Sequence, residues 1–266
     1  MSNKSKALGI FDSGVGGLTV VKSLMQQLPN EQIYYLADTV NLPYGNKSSE
    51  QLESICIKNM DFLIKQPLKA IVIACNTASA HAYESLKMRF NIPIFDVITP
   101  SVEEAIDKTK NKKIAVLGTQ SLIDSKMYET LIKGRDPSIE VLSIACPLLV
   151  SIVEESFLSH KLAELLVRQY LMPIIESDID TVILGCTHYP LMVEIIRNEL
   201  SQDKILVDSS ECCVRNIKVH LEKNNLFTEA KNLPKNFYFV TGSPEAFDAK
   251  CSVILNQNIT SVKKED

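Results

Sequence analysis

Two cysteines in this chain stand where a thiol can do chemistry. In IVIACNTASA (residues 71–80) and VILGCTHYPL (residues 182–191), a short apolar run rich in β-branched residues ends in a cysteine and then turns polar. That is the pattern of a buried parallel strand emptying into a loop and a helix. Ligands of open α/β sheets bind at the carboxyl ends of the strands, so Cys75 and Cys186 are each expected at the mouth of a site. A neighbouring helix N-terminus favours thiolate there. Cysteine is also a good core residue, but small hydrogen-bonding residues follow each thiol: Asn76 and Thr77 after Cys75, Thr187 and His188 after Cys186.

A pair of facing thiols suits proton transfer at a carbon acid. Inverting a stereocentre needs a base on one face and an acid on the other. A free thiol titrates near ~8.5, so both of its forms are accessible near neutrality. Asp12, if close to Cys75, repels its thiolate and would accept the thiol proton, orient it, or pair with a substrate ammonium. His188, when protonated, favours thiolate at Cys186. Glu154 is a candidate partner for that histidine or thiol, and is otherwise a solvated helix residue.

The segments ACNTA and LGCTHYPL, with FDSGVGGL near the N-terminus and ADTVNLPYG between them, resemble the signature segments of the glutamate racemases, within the aspartate/glutamate racemase superfamily. The resemblance runs through nearly the whole chain. It implies a cofactor-independent enzyme, working without pyridoxal phosphate or metal, that interconverts L- and D-glutamate by two-base proton transfer. Cys75 would serve the D-enantiomer and Cys186 the L-enantiomer, assisted by Asp12, Glu154 and His188. Substrate contacts carry over to Asp12, Ser13, Pro43, Tyr44, Gly45, Asn76, Thr77, Thr119, Thr187 and His188. The resemblance further implies D-glutamate for peptidoglycan synthesis in a bacterial cytoplasm, and a homodimer. The chain departs from the pattern in two places. Leu122 stands where a threonine is common, which shifts weight onto Thr119 or Ser121. Ser156 stands where a glycine often follows the paired glutamates, which leaves Glu154 and Glu155 both open as the assisting carboxylate.

Alternating strands and helices must position these groups, so the fold class is α/β. It is expected as two pseudo-symmetric lobes, each a mostly parallel sheet flanked by helices, with the site in the cleft between them. The first lobe comprises residues 1–98 with 209–266 and carries Cys75; the second, 99–208, carries Cys186. Strands are expected over 7–14, 32–38, 71–74, 113–119, 139–146, 180–186 and 204–209. Helices are expected over 18–28, 77–89, 121–133 (stopped by Gly134), 190–200, 211–223 and 244–255. Ser48 and Gln51 form a capping box for a helix reaching residue 65. Thr99 is expected to cap a helix with Pro100 at its first position, a further helix begins near Lys161, and Pro173 is expected to kink or end it. Gly14, Gly16 and Gly17 resemble a dinucleotide loop, but the third glycine of that motif falls at Thr19. They suit a tight turn or close approach of backbone N–H groups to an anion.

With 45% hydrophobic and 23% charged residues, the chain reads as a soluble globular protein. A net charge of −4 gives no electrostatic reason to expect nucleic acid or an anionic membrane as partner. No apolar run is long enough to span a bilayer or make a signal peptide. The seven cysteines include no CxxC pair, so free thiols fit better than disulfides or zinc. Cys56, Cys146, Cys212, Cys213 and Cys251 read as core, and His81 as a surface or packed histidine. Competing readings are an aspartate racemase on the same plan, a cysteine hydrolase using Cys186 and His188, and a non-catalytic amino-acid-binding or regulatory protein, since some members of the resembled family bind DNA gyrase. The hydrolase reading leaves Cys75 idle, and two residues apart on one strand-loop, Cys186 and His188 are expected to sit awkwardly for a direct dyad.

Overall fold

The computed structural model describes residues 3–156, 158, 160–230 and 232–264. In chain order the elements begin β1 (Ala7–Asp12), α1 (Leu18–Gln27), β2 (Ile33–Ala37), α2 (Ser49–Leu63), β3 (Leu68–Ile73), α3 (Asn76–Arg89), β4 (Ile94–Asp96) and α4 (Ile98–Lys108). They continue with β5 (Lys113–Gly118), α5 (Gln120–Asp124), α6 (Met127–Arg135), β6 (Glu140–Ala145), α7 (Pro147–Glu154), α8 (Lys161–Ile175), β7 (Thr181–Gly185), α9 (Val193–Glu199) and β8 (Ile205–Asp208). The last are α10 (Ser209–Lys223), β9 (Phe237–Val240), α11 (Pro244–Leu255) and β10 (Ser261–Lys263).

The strands form two sheets, ordered β10-β9-β2-β1-β3-β4 and β6-β5-β7-β8, with every described pair parallel. The order β2-β1-β3-β4 matches β6-β5-β7-β8 strand for strand, so β1 corresponds to β5 and β3 to β7. In each sheet the reactive-type cysteine follows the strand beside the one that comes first in the chain: Cys75 after β3, Cys186 after β7. All residues of β1, β3 and β7 are buried, as parallel strands covered on both faces require. The two sheets also share a core. One apolar cluster joins Leu8, Ile10 and Tyr35 of the first to Leu117, Val182 and Leu184 of the second, through Val214 and Ile217 of α10.

Local signals explain several element ends. Ser48 Oγ accepts from Gln51 N at 3.3 Å while Gln51 Oε1 accepts from Ser48 N at 3.0 Å, the reciprocal box expected at the start of α2. Cys56 falls on the buried face of α2 with Leu52, Met60 and Leu63, and Cys146, Cys212, Cys213 and Cys251 are likewise buried in apolar clusters.

Other expectations need correction. The first turn of α4 is capped from the residue before its N-cap, Val97: Asp96 Oδ1 accepts from both Ile98 N and Thr99 N at 2.7 Å, and Thr99 and Pro100 lie inside the first turn. The helix expected over 121–133 is two, α5 and α6, because Lys126 takes a left-handed conformation (φ 54°) that breaks the hydrogen-bond ladder. Gly134 lies within α6 and does not end it. The helix expected over 190–200 opens as a 3₁₀ turn, Tyr189–Met192, where Pro190 brings no N–H, and becomes α-helical only at Val193. Pro173 sits in the last turn of α8, which ends at Ile175. Residues 147–154, which no expected helix covered, form α7 with Pro147 at its first turn, and β10 adds an unforeseen edge strand.

The cap assignment has a stability consequence. Asp96→Ala is expected to cost about 1–2 kcal/mol in chemical denaturation, and Thr99→Ala less than about 0.5 kcal/mol. Equal effects would return the cap to Thr99.

Candidate active site

The two strand-end cysteines line one cavity of about 180 Å³ at the facing carboxyl ends of the sheets. Cys75 follows β3 in extended conformation, takes the N-cap of α3, and its Sγ accepts from Ala78 N at 3.5 Å. Cys186 follows β7 and the chain turns at once, with Tyr189 N donating to Cys186 O at 3.0 Å. Each cysteine is 6% exposed. Ser13 from the turn after β1, and Pro43, Tyr44 and Gly45 from the loop after β2, line the same space. So do Asn76 and Thr77, Thr119 at the cap of α5, and Thr187 and His188. Every residue expected to bind substrate therefore borders the cavity except Asp12.

Asp12 is fully buried beneath the lining. Its Oδ2 accepts from Gly14 N at 3.0 Å and its Oδ1 from Thr187 Oγ at 3.3 Å, so a side chain of the second sheet's turn is tied to the end of β1. Burial pushes its carboxyl above the usual range, against the lowering effect of His188 and the Gly14 and Gly17 amides. The approach of the two turns depends on Gly16, where a Cβ would stand 2.5 Å from both His188 Nδ1 and Thr187 Oγ. Above the cavity, Thr77 Oγ and Thr119 Oγ meet at 2.8 Å, joining the first turn of α3 to the cap of α5.

A chain of polar contacts runs behind Cys186. Its Sγ lies 3.6 Å from His188 Nδ1, and His188 Nε2 lies 2.8 Å from Glu154 Oε1. The expectation that Cys186 and His188 are awkwardly placed is thereby overturned, because the helical turn at 186–189 folds the imidazole back onto the sulfur. Burial is the largest single influence on His188 and disfavours its charge, but contacts with Cys186 and Glu154 together outweigh it and raise its pKa from 6.5 to about 10. Burial likewise opposes ionisation of Glu154, yet His188 and Lys250 draw its pKa down from 4.5 to about 2. Cys75 has no such cation. Burial pushes its thiol well up, and the Asp12 charge adds to the effect.

The carboxylate left open by the sequence is Glu154: it is 6% exposed, whereas Glu155 is exposed and makes no contact with His188. Ser156 has φ 60°, the left-handed region that favours glycine, which accounts for a glycine commonly standing there. Leu122 is buried against Gly118 and Gly185 and does not border the cavity. Ser121 is occupied by His81, whose Nε2 lies 2.9 Å from its Oγ. Seven lining residues were not among the expected site residues: Leu42, Asn46, Gln120, and Pro147, Leu148, Val150 and Ser151 of α7. The signal for the last four was the helical spacing in PLLVSIVE, a segment too short to stand out. Among the described residues, no group of three His, Cys, Asp or Glu is arranged to hold a metal ion, and no helix is long and apolar enough to cross a membrane.

The His188–Glu154 pair links stability to pH. The raised pKa of His188 makes its contribution complete below pH 6.5 and lost as pH climbs through about 10; the lowered pKa of Glu154 makes its own complete above pH 4.5 and lost as pH falls toward about 2. The joint contribution is fullest between pH 4.5 and 6.5. Glu154→Gln is expected to lower the NMR titration midpoint of the His188 ring by roughly one to two pH units. An unmoved midpoint would contradict this account of the pair.

Comparison with known proteins follows the same lines. The model of the Asp/Glu/hydantoin racemase family matches residues 17–217. A glutamate racemase of Listeria monocytogenes serotype 4a is 40% identical over 242 residues, covering 91% of each chain. Glutamate racemase isoform RacE1 from Bacillus anthracis superposes with a TM-score of 0.95 at 38% identity, and the Francisella tularensis glutamate racemase in complex with D-glutamate with 0.91 at 36%, each covering 98% of both chains. Two parallel sheets flanked by helices, a cavity between them and a match over most of the length lead to one conclusion: the chain belongs to the Asp/Glu/hydantoin racemase family.

Proposed function

We propose that this protein is a glutamate racemase that inverts the α-carbon with Cys186 and Cys75 as its two proton-transfer groups. The observation that carries the reading is that the two thiols border a single cavity, one from each sheet, in unlike electrostatic settings. Cys186 has a protonated imidazole against its sulfur and serves as thiolate; Cys75 is desolvated beside Asp12 and rests as thiol.

In the L-to-D direction the Cys186 thiolate takes the α-proton and the Cys75 thiol delivers its own to the opposite face. The thiol and thiolate have then changed places, and the reverse reaction restores them. Charge accumulating on the substrate carboxylate calls for fixed donors, and the hydroxyls of Ser13, Thr77, Thr119 and Thr187, with the amides at the start of α3, border the cavity. Asp12 orients Thr187 and opposes ionisation of Cys75, while Glu154 keeps His188 charged. The names of the relatives support glutamate as substrate, and the family resemblance supports D-glutamate for peptidoglycan as the use of the product.

Residues 1–98 with 209–266 and 99–208 are proposed as the two lobes, since the first set supplies the six-stranded sheet and the second the four-stranded one. The Thr77–Thr119 contact then joins the two lobes beside the cavity.

Cys75→Ser and Cys186→Ser test the reading, because the serine alkoxide is scarce at neutral pH. Racemisation of glutamate, followed by circular dichroism, is expected to fall roughly 10²–10⁴-fold in each variant. Since enantiomers have equal free energy, kcat/KM must fall by the same factor in both directions. Full racemisation by either variant would overturn the assignment, and wild-type turnover of aspartate in place of glutamate would move the substrate.

A further inference from the structure

Lys250 lies on α11, in the segment that returns from the second sheet to extend the first. Its Nζ stands 3.0 Å from Glu154 Oε2. The other oxygen of Glu154 receives Val15 N at 3.2 Å and faces His188 Nε2 at 2.8 Å, and His188 Nδ1 faces Cys186 Sγ at 3.6 Å. Ammonium, carboxylate, imidazole and thiol thus stand in file from the protein surface to the cavity. Lys250 does not border the cavity, and nothing in the two-thiol mechanism calls for it.

We propose that Lys250 is a positioning residue for racemisation: it fixes Glu154 so that the carboxylate holds His188 against Cys186. This rests on the reading of Cys186 as a proton-transfer group. An ordinary surface ion pair does little, but this one is unequal, with the lysine side chain 33% exposed and the glutamate 8%. Among the described residues, Lys250 is the sole donor to Glu154 Oε2. Without it, a nearly buried carboxylate oxygen loses its partner, which favours rotation or protonation of the group that orients His188.

Among the described residues, no other lysine or arginine pairs with Glu154. The titratable groups that sense Glu154 are Asp12 and Tyr35 from the first sheet and Cys251 beside Lys250, all neutral or negative, besides His188 itself. Asp248 on α11 is occupied by Ser261 N, and Glu245 by Ser243 Oγ. From the elements packed on α11, Lys22 of α1 and Lys263 of β10 are exposed and make no bond to Glu154. Removing Lys250 therefore takes from Glu154 one of the two side chains that draw its carboxyl down.

The test is the pH dependence of kcat/KM for glutamate in wild type, Lys250→Met, Lys250→Gln and Lys250→Arg. Lys250→Met is expected to move the acid limb upward by about half to one pH unit, with a loss of about three- to tenfold near neutrality. Lys250→Arg is expected to stay within about twofold of wild type. A Lys250→Met profile superimposed on wild type, even with a lowered melting temperature, would reduce the lysine to a structural contact and overturn the proposal; if Lys250→Met does not fold, Lys250→Gln decides in the same way. Should wild type fail to racemise glutamate, or Cys186→Ser racemise it fully, the reading of the site fails instead. NMR titration of the His188 ring then decides for Lys250 alone: a midpoint unmoved in Lys250→Met would overturn its role.

Discussion

A charged imidazole sealed in the protein interior is the interaction on which the rest of the cavity depends. Burial alone would strip His188 of its proton, and it keeps the charge because Glu154 and Cys186 flank it on its two ring nitrogens. The carboxylate is itself nearly buried and stays ionised because His188, Lys250 and the Val15 amide surround it. Each group is tolerable in the interior only while its neighbours are present, so the set behaves as one unit. Its output is an asymmetry between two chemically identical thiols, one beside a cation and one beside the Asp12 carboxylate.

The fold supplies the complementary symmetry. Two sheets with the same local strand order point their carboxyl ends at one space, and equivalent strands bring one cysteine from each sheet to its lining. A single sheet has one such edge and presents ligands from one side. The additional strands β9 and β10, together with α11, break the correspondence, and it is this unmatched segment that brings Lys250 to Glu154. Similarity between the halves brings one thiol from each sheet to the cavity, while the departure from similarity adds Lys250 behind one of them alone.

What the sequence conveyed was local. An apolar run ending in cysteine and small polar residues marks a strand mouth without reference to the rest of the chain, and the Ser48–Gln51 box spans a single turn. The partner of His188 was legible only as a candidate: Glu154 lies 34 residues earlier, on a helix hidden by its brevity, and by spacing alone it resembles any solvated glutamate. Lys250, 96 residues beyond Glu154, was not legible at all, since its neighbours in sequence give no hint of a carboxylate. The direct contact of Cys186 with His188 was expected to be awkward for a different reason. Only Thr187 separates the two, but whether they touch is decided by the backbone turn that follows β7, for which Gly16 leaves room.

The central claim is that two separate groups handle the proton, one on each side of the carbon. The most direct measurement is the deuterium content of D-glutamate formed from protiated L-glutamate in deuterated water during the first few per cent of conversion. Two monoprotic thiols predict product carrying deuterium at the α-carbon in every molecule, while recovered L-glutamate remains almost wholly protiated. Product that retains a substantial share of the original proton would mean that one group serves both faces, and would contradict the account.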